Sequence, residues 1–285
     1  MLVLFLAMLS SASMALVLKL FRAQKGNRYG LLLGNYLTCI LIALLLMPDR
    51  SLIFSGHRVT LVCGVLGGLL FVAGLVTMQS SVLLNGASLS AAFAKLGLLV
   101  SLALSLLCFG ERPGLLTLLG AALVLPALLL IHAGGKNDAK ETGGTRSFPL
   151  LLLTLLAGGS ADAMAKVFEQ LGERAEDGLY FLWLFLTAAV LTALLALREK
   201  RRTGKNILLS ELAAGVAVGV PNYFSSFLLL RALEKLPAFV VYPVFSAGTI
   251  VLVLLLSALF FREKPGKKQL LGLLFILAAL VLLNL

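Results

Sequence analysis

The sequence predicts an all-α polytopic membrane protein of ten transmembrane helices in two inverted five-helix repeats. Three observations predict it. The 285 residues are 60% apolar and only 13% charged, with a mean hydropathy of +1.04, whereas soluble domains are about half apolar and about one quarter charged. The apolar residues gather into ten runs close to the roughly 20 residues that cross a bilayer. The last five runs repeat features of the first five.

The runs place spans at residues 2–21, 30–47, 59–80, 84–109, 114–133, 149–171, 179–198, 207–231, 237–261 and 267–284. Backbone polar groups in lipid must be paired internally, so the runs are read as helices. A membrane β-barrel would alternate polar and apolar residues, and stretches such as LLLLTLLAG do not. The first run could pass for a signal peptide, but no basic residue precedes it and its apolar character resumes through Leu20, so it is read as a retained span. Residues 134–148, GGKNDAKETGGTRSF, form a polar, glycine-rich flexible linker. Pro149 then suits the first turn of the sixth span. The chain thus divides into a first repeat (1–133), the linker (134–148) and a second repeat (149–285).

The net charge of +11 sits mostly between the apolar runs, where it reports topology rather than a nucleic-acid partner. Cys39, Cys63 and Cys108 lie inside apolar runs without a C-x-x-C pair, so they are read as small buried hydrophobes. His57 and His132 are far apart and make no metal or triad pattern. No nucleotide-binding G-x-x-x-x-G-K-[ST] occurs. No cofactor or metal is expected.

The duplication is clearest where the fourth span runs into the fifth, FGERPGLLTLLG, and the ninth into the tenth, FREKPGKKQLLG. At an offset of 152, Gly67, Phe93, Ser105, Phe109, Glu111, Pro113, Gly114 and Gly120 match Gly219, Phe245, Ser257, Phe261, Glu263, Pro265, Gly266 and Gly272. At an offset of 150, Ser10, Met14, Ala15 and Val17 match Ser160, Met164, Ala165 and Val167. An odd number of spans per repeat puts the second copy upside down, a recurring design of secondary transporters. Charge agrees. The odd-numbered loops with the linker carry 16 Lys and Arg, the even-numbered loops 6. Loop 2–3 has two against five in loop 7–8, and loop 4–5 has one against four in loop 9–10.

The segments NGASLSAAFAKLGLLVSLALSLLCFGERPGLLTLLGAALVL and LRALEKLPAFVVYPVFSAGTIVLVLLLSALFFREKPGKKQLLGLLFILAALVLL resemble the drug/metabolite transporter superfamily, in its EamA-like branch. The resemblance covers nearly the whole chain, and the duplicated E-x-P-G junction is its most specific part. It implies ten helices in two inverted repeats, a basket around a central cavity, and transport of a small metabolite or drug across the cell membrane. It implies no particular substrate.

Charges inside spans cost about 2.5–3.5 kcal/mol at the helix centre and usually serve function. Lys95 lies near the middle of the fourth span. Asp162 and Lys166 lie in the sixth, four residues apart on one face, where they can also satisfy each other. The eighth and ninth spans look interrupted: Pro221 precedes Asn222, Tyr223, Ser225 and Ser226, and Pro243 follows Tyr242 and precedes Ser246 and Thr249. Paired interruptions point to a transporter site; a packing kink is the plainer reading of either proline alone. Asn35 with Tyr36, and Ser10, Ser11 and Ser13, are weaker candidates. The candidate binding residues are therefore Asn35, Lys95, Asp162, Lys166, Asn222, Tyr223, Tyr242 and Ser246. Glu111 and Glu263 are expected to cap the helices that follow them. Gly64, Gly67, Gly68, Gly74, Gly215 and Gly219 are expected to permit close helix packing. Trp183 reads as an interfacial anchor.

Two lysines and one acid in the spans favour a carboxylate-bearing solute such as an amino acid, with a proton as a conceivable coupling ion. A cationic drug/proton antiporter is the alternative, centred on Asp162 with Lys166 turned away. A membrane-embedded lipid enzyme or a flippase subunit is the alternative of another class. The expected partners are the solute and membrane lipids; oligomeric state is unread. The charge bias puts the odd loops in the cytoplasm and both termini outside. A C-terminal reporter that works only in the cytoplasm should therefore be silent, and activity there would overturn this orientation.

Overall fold

A computed structural model describes residues 1–20, 26–133, 147–261 and 266–283; the side chains at 18, 19, 87, 88, 131–133, 261 and 280 are outside the description. Its α-helices are α1 (Leu2–Leu20), α2 (Gly30–Leu46), α3 (Leu52–Ser55), α4 (Arg58–Asn85), α5 (Ala87–Leu96), α6 (Leu98–Cys108), α7 (Leu115–Ala133), α8 (Phe148–Leu171), α9 (Asp177–Thr203), α10 (Leu209–Leu233), α11 (Ala238–Phe261) and α12 (Lys267–Leu283), with a 3₁₀ turn at Arg174–Glu176. No strand occurs among the described residues. Among the described residues, six helical stretches are long and apolar enough to cross a membrane: Arg58–Asn85, Leu89–Cys108, Phe148–Leu171, Arg174–Thr203, Leu209–Leu233 and Ala238–Phe260. Shorter apolar helices lie at Leu2–Val17, Gly30–Leu46 and Leu115–Leu130.

Helix α2 shows why the elements sit as they do. Tyr36, Cys39 and Ala43 are wholly buried on one side, while Leu37, Leu41 and Leu45 are 50–65% exposed on the other. Both faces are apolar, as expected where the surroundings are hydrocarbon. One core joins Leu4, Leu98, Val124, Leu128, Val241 and Ile276, from α1, α6, α7, α11 and α12. A second joins α2, α4, α8, α9 and α10 around Tyr36, Phe181, Phe185 and Tyr223.

The strongest helix pairings are α7 with α12, α2 with α10, α4 with α8 and α9, α1 with α10 and α11, and α2 with α9. With α5 and α6 counted as one segment, these pairings recur when the two halves are exchanged. Thus α4 on α9 mirrors α10 on α2, α4 on α8 mirrors α10 on α1, and α8 on α5 and α6 mirrors α1 on α11. The connections also sort into two sets. Asn27 bonds Ala196 O, Arg28 pairs with Glu199, and Asn85 bonds Ser147. On the other side His57 meets Glu176, Lys166 meets Glu111, and Asp177 meets Arg231.

Close packing rests on glycine. Where α10 crosses α2, a Cβ on Gly215 would collide with Leu31 O and lie 2.7 Å from Asn35 N, and one on Gly34 would lie 2.6 Å from Leu212 O. Where α4 crosses α9, Gly68 faces Leu184 O at 2.5 Å. These backbones meet directly, as small residues permit in membrane helices. Trp183 packs over Gly64 in the same seam, its Cβ 2.6 Å from the position of a glycine Cβ.

The structure departs from the sequence expectations in several places. The third span runs on to Asn85, and the fourth is broken at Gly97 rather than continuous. Helix α9 continues to Thr203, so the basic run from Arg198 is helical, ending on Gly204 with φ +72°. The eighth and ninth spans are not interrupted: α10 and α11 continue through Pro221 and Pro243, as α7 does through Pro126. A proline removes one ladder bond, which the turns on either side outlast when neighbours hold the helix. Cys108 is exposed, whereas Cys39 and Cys63 are buried as expected. The linker through residue 146 lies outside the described residues.

Gly215→Val should lower the unfolding temperature and aggregate on size exclusion, because overpacking costs about 1–3 kcal/mol. Gly158→Ala, with nothing within 4 Å of its Cβ, should leave both unchanged.

Candidate functional site

The break at Gly97 builds the site. A Cβ there would lie 2.8 Å from Gly159 N, and one on Gly159 would strike Gly97 O. The α5–α6 joint is therefore seated backbone to backbone on α8, and Ser101 Oγ donates to Gly159 O at 3.2 Å. This contact sets Lys95, two residues before the joint, against Asp162, three residues after Gly159, and the two interact electrostatically. The hydroxyl of Tyr242 on α11 donates to the Asp162 main-chain oxygen at 2.8 Å. Asp162 also lies within electrostatic reach of Tyr180 on α9. Four helices thus converge on one acid. Tyr242 is buried, but Asp162 is exposed and Lys95 half-buried. Their neighbours come from α5, α9 and α11, so this accessible surface belongs to a cleft among the helices. A bare carboxylate facing hydrocarbon would carry the full penalty of a charge in lipid.

Lys166 does not pair with Asp162. Its ammonium, 3% exposed, bonds Glu111 at 3.0 Å and Glu169 at 2.7 Å. Along a helix the i,i+4 spacing makes a pair available, but here the partners on the next turn and the facing loop are nearer the ammonium's reach. Glu111 is the centre of this layer. It accepts the Ser105 hydroxyl, the Ala238 N–H at 3.2 Å and Lys166. It therefore caps α11 of the other half, not α7 as its place in the sequence suggests. Burial alone would raise its pKa, but the three donors outweigh it and hold the carboxyl below its usual 4.5. Glu263 lies outside the described residues. Nearby, Arg231 bonds Asp177 and Glu234, each at 2.8 Å.

Asn35, Asn222 and Tyr223 lie elsewhere. Asn222 Nδ2 donates to Asn35 Oδ1 at 3.1 Å across the α2–α10 seam, and Cys39 Sγ donates to Gly219 O at 3.3 Å. Tyr223, 1% exposed, is set among Phe181, Phe185 and Phe227 with centroids 5.6–6.1 Å apart. Ser246 follows Tyr242 by one turn on α11 and is buried. The predicted residues thus form one group at Asp162 and another in the α2–α10 core.

Ser101, Ser105 and Tyr180 belong to the first group and its cap, and sequence reasoning did not select them. Ser105 carried a signal, since it repeats as Ser257; Tyr180 carried none. Among the described residues one trio of metal-capable side chains occurs, His57, Glu173 and Glu176, and it lies outside the cleft.

The long apolar helices among the described residues point to an integral membrane protein. Residues 148–285 match the model of the EamA-like transporter family, part of the drug/metabolite transporter superfamily, and so point to a membrane transporter of that kind. A solved protein crystal structure of 18% sequence identity superposes with a TM-score of 0.73, over 99% of this chain and 94% of the other; at that identity the likeness is one of fold. No curated protein sequence matches the chain.

Glu111→Gln should lower stability at neutral pH by about 1–3 kcal/mol, since it weakens the charged acceptor of three buried donors. A carboxylate with a lowered folded pKa stabilises above its unfolded pKa, and that contribution is lost as pH falls through the folded one. Unfolding temperature should thus fall below pH 4.5 less steeply in Glu111→Gln than in the parent protein.

Proposed function

We propose that the protein is a secondary transporter of the cell membrane, with ten spans in two inverted five-helix halves, moving a small carboxylate-bearing metabolite by alternating access. The pairing of helices under exchange of the halves supports the repeat, and the sorting of the connections into two sets supports alternate threading. The observation that carries the function is the accessible Asp162 beside Lys95 within the bundle.

The substrate class follows from which charges are free. Lys166 is held by two carboxylates, so Lys95 and Asp162 remain to meet a solute. An ammonium and a carboxylate side by side complement a zwitterion, with the solute carboxylate on Lys95 and its amino group on Asp162. Amino acids fit this pattern. The release of Asp162 from Lys166 also favours a second reading, a cationic drug/proton antiporter, in which Asp162 exchanges a proton for the cation. Lys95 opposes that reading, because it would repel the cargo.

Alternating access needs two faces that close in turn. The Glu111 layer, joining α6, α8 and α11 across the halves, suits the closed face here. Asp162 lies one turn deeper along α8.

Purified protein in liposomes should show counterflow of a labelled amino acid. Asp162→Asn or Lys95→Ala should cut it about tenfold or more, as expected for loss of a charge-assisted contact of ~1.5–3 kcal/mol. Lys95→Cys, in a background lacking Cys39, Cys63 and Cys108, should react with a hydrophilic thiol reagent. No labelling under any transport condition would sink the cleft. Turnover of a lipid without solute flux would favour a lipid-processing enzyme or flippase subunit instead.

A further inference from the structure

Helix α9 has two faces, and each ends in charge of a different use. Its buried row is Phe185, Ala188, Ala189, Thr192 and Ala196, and Glu199 continues it. Glu199 meets Arg28 at 3.8 Å, and Ala196 O accepts Asn27 Nδ2 at 2.9 Å, both partners from the first half. The outward row is Leu186, Val190, Leu194 and Leu197, 37–57% exposed. Arg198 follows Leu194 by four positions, Arg201 follows Leu197 by four, and Arg202 follows Arg198 by four. At that spacing the three arginines continue the outward row. All three are exposed and helical, and the helix ends only at Gly204. Lys200, also exposed, falls outside the row.

Three cations on one side of a turn repel one another, since like charges at this spacing destabilise a helix. An anion among them removes that cost, but among the described residues no carboxylate meets any of the three. Their position says which outside anion suits them. An exposed row of leucine and valine on a spanning helix faces hydrocarbon. From Val190 to Arg201 the helix rises about 16 Å at 1.5 Å per residue. That is about half of the roughly 30 Å hydrocarbon core. The arginines therefore stand at the level of lipid headgroups when Val190 stands near the midplane. Positive charge that only sets topology has no preferred side of its helix, whereas these three keep to the lipid side. Guanidinium forks match phosphate oxygens bidentately.

We propose that the end of α9 binds one anionic phospholipid, its phosphate on Arg198, Arg201 and Arg202 and its acyl chains along Leu197, Leu194 and Val190. Clusters of Lys and Arg beside a spanning helix attract anionic lipids in this way. A zwitterionic lipid fits less well, because its own cation meets the arginines. The inner side of the same turn holds the first half through Glu199 and Ala196. Lipid on the outer side therefore braces a joint between the halves. This proposal is independent of what, if anything, the cleft transports.

The test uses the full-length protein, stripped of lipid in a neutral detergent. Native mass spectrometry counts retained lipid, and fluorescence of Trp183, the single tryptophan, reports unfolding temperature. Dioleoylphosphatidylglycerol should stay bound at one per chain and raise the unfolding temperature. Dioleoylphosphatidylcholine, with the same acyl chains, and sodium phosphate, with none, should do neither. Affinity for phosphatidylglycerol should fall about fivefold in each of Arg198→Gln, Arg201→Gln and Arg202→Gln, the effect of one surface cation. It should fall much less in Lys200→Gln, which removes the same charge from another side of the turn. Each variant keeps four of the five basic residues from Arg198 to Lys205, so the topology signal survives, and the unfolding temperature without lipid verifies the fold. Equal losses in Lys200→Gln and Arg201→Gln would mean diffuse attraction to a basic surface and overturn the site. Phosphatidylcholine retained as well as phosphatidylglycerol, or phosphate stabilising as much as the lipid, overturns it too.

Discussion

Helix ends have N–H and C=O groups without helical partners. The fold answers with carboxylates and amides lent from one half to the other. Glu111 of the first half takes the Ala238 N–H that begins α11. Glu176 of the second takes the His57 N–H that begins α4. Asn85 of the first takes Ser147 N–H at 2.8 Å, just ahead of α8. Glu211 and Gln269 serve their own helices, accepting Leu208 N–H at 3.0 Å at the start of α10 and Gly266 N–H at 2.8 Å at the start of α12. The negative side chains of Glu111, Glu176 and Glu211 suit the positive helix ends they meet. The exchange also makes each half incomplete without the other.

The same economy shapes the interior. Direct backbone contact at Gly215 and Gly68 draws α10 onto α2 and α9 onto α4, leaving no room for polar gaps in those seams. Gly97 on Gly159 does the same for α5 and α6 against α8, but there the chain bends, and the bend delivers Lys95 to Asp162. The tight seams and the polar cleft thus have one cause, small residues at helix crossings. The aromatic group around Tyr223 packs the core where α9 and α10 meet.

Much of this was legible in the chain. The described residues of the apolar runs are largely helical in the structure, with the fourth run broken at Gly86 and Gly97. Asp162 and Lys95 stand out by the cost of charge in lipid, and they meet. The glycines named for close packing lie in the seams. Pairing was illegible. Lys166 has Asp162 at helical spacing, yet bonds Glu111, 55 positions earlier. Pro221 and Pro243 looked like breaks, yet their helices continue because adjoining helices hold them. His57 stood alone in sequence because its partners, Glu173 and Glu176, lie more than a hundred positions away.

The sequence by itself determined that the chain is helical and that its helices are apolar enough for lipid, and it set a few charges inside those apolar runs. These follow from composition and period, because solvent selects for them along each segment separately. The tertiary structure alone decided which charges are consumed and which remain free. Lys166 and Glu111 neutralise each other while Asp162 stays accessible, and that outcome depends on distances between helices that no single segment encodes.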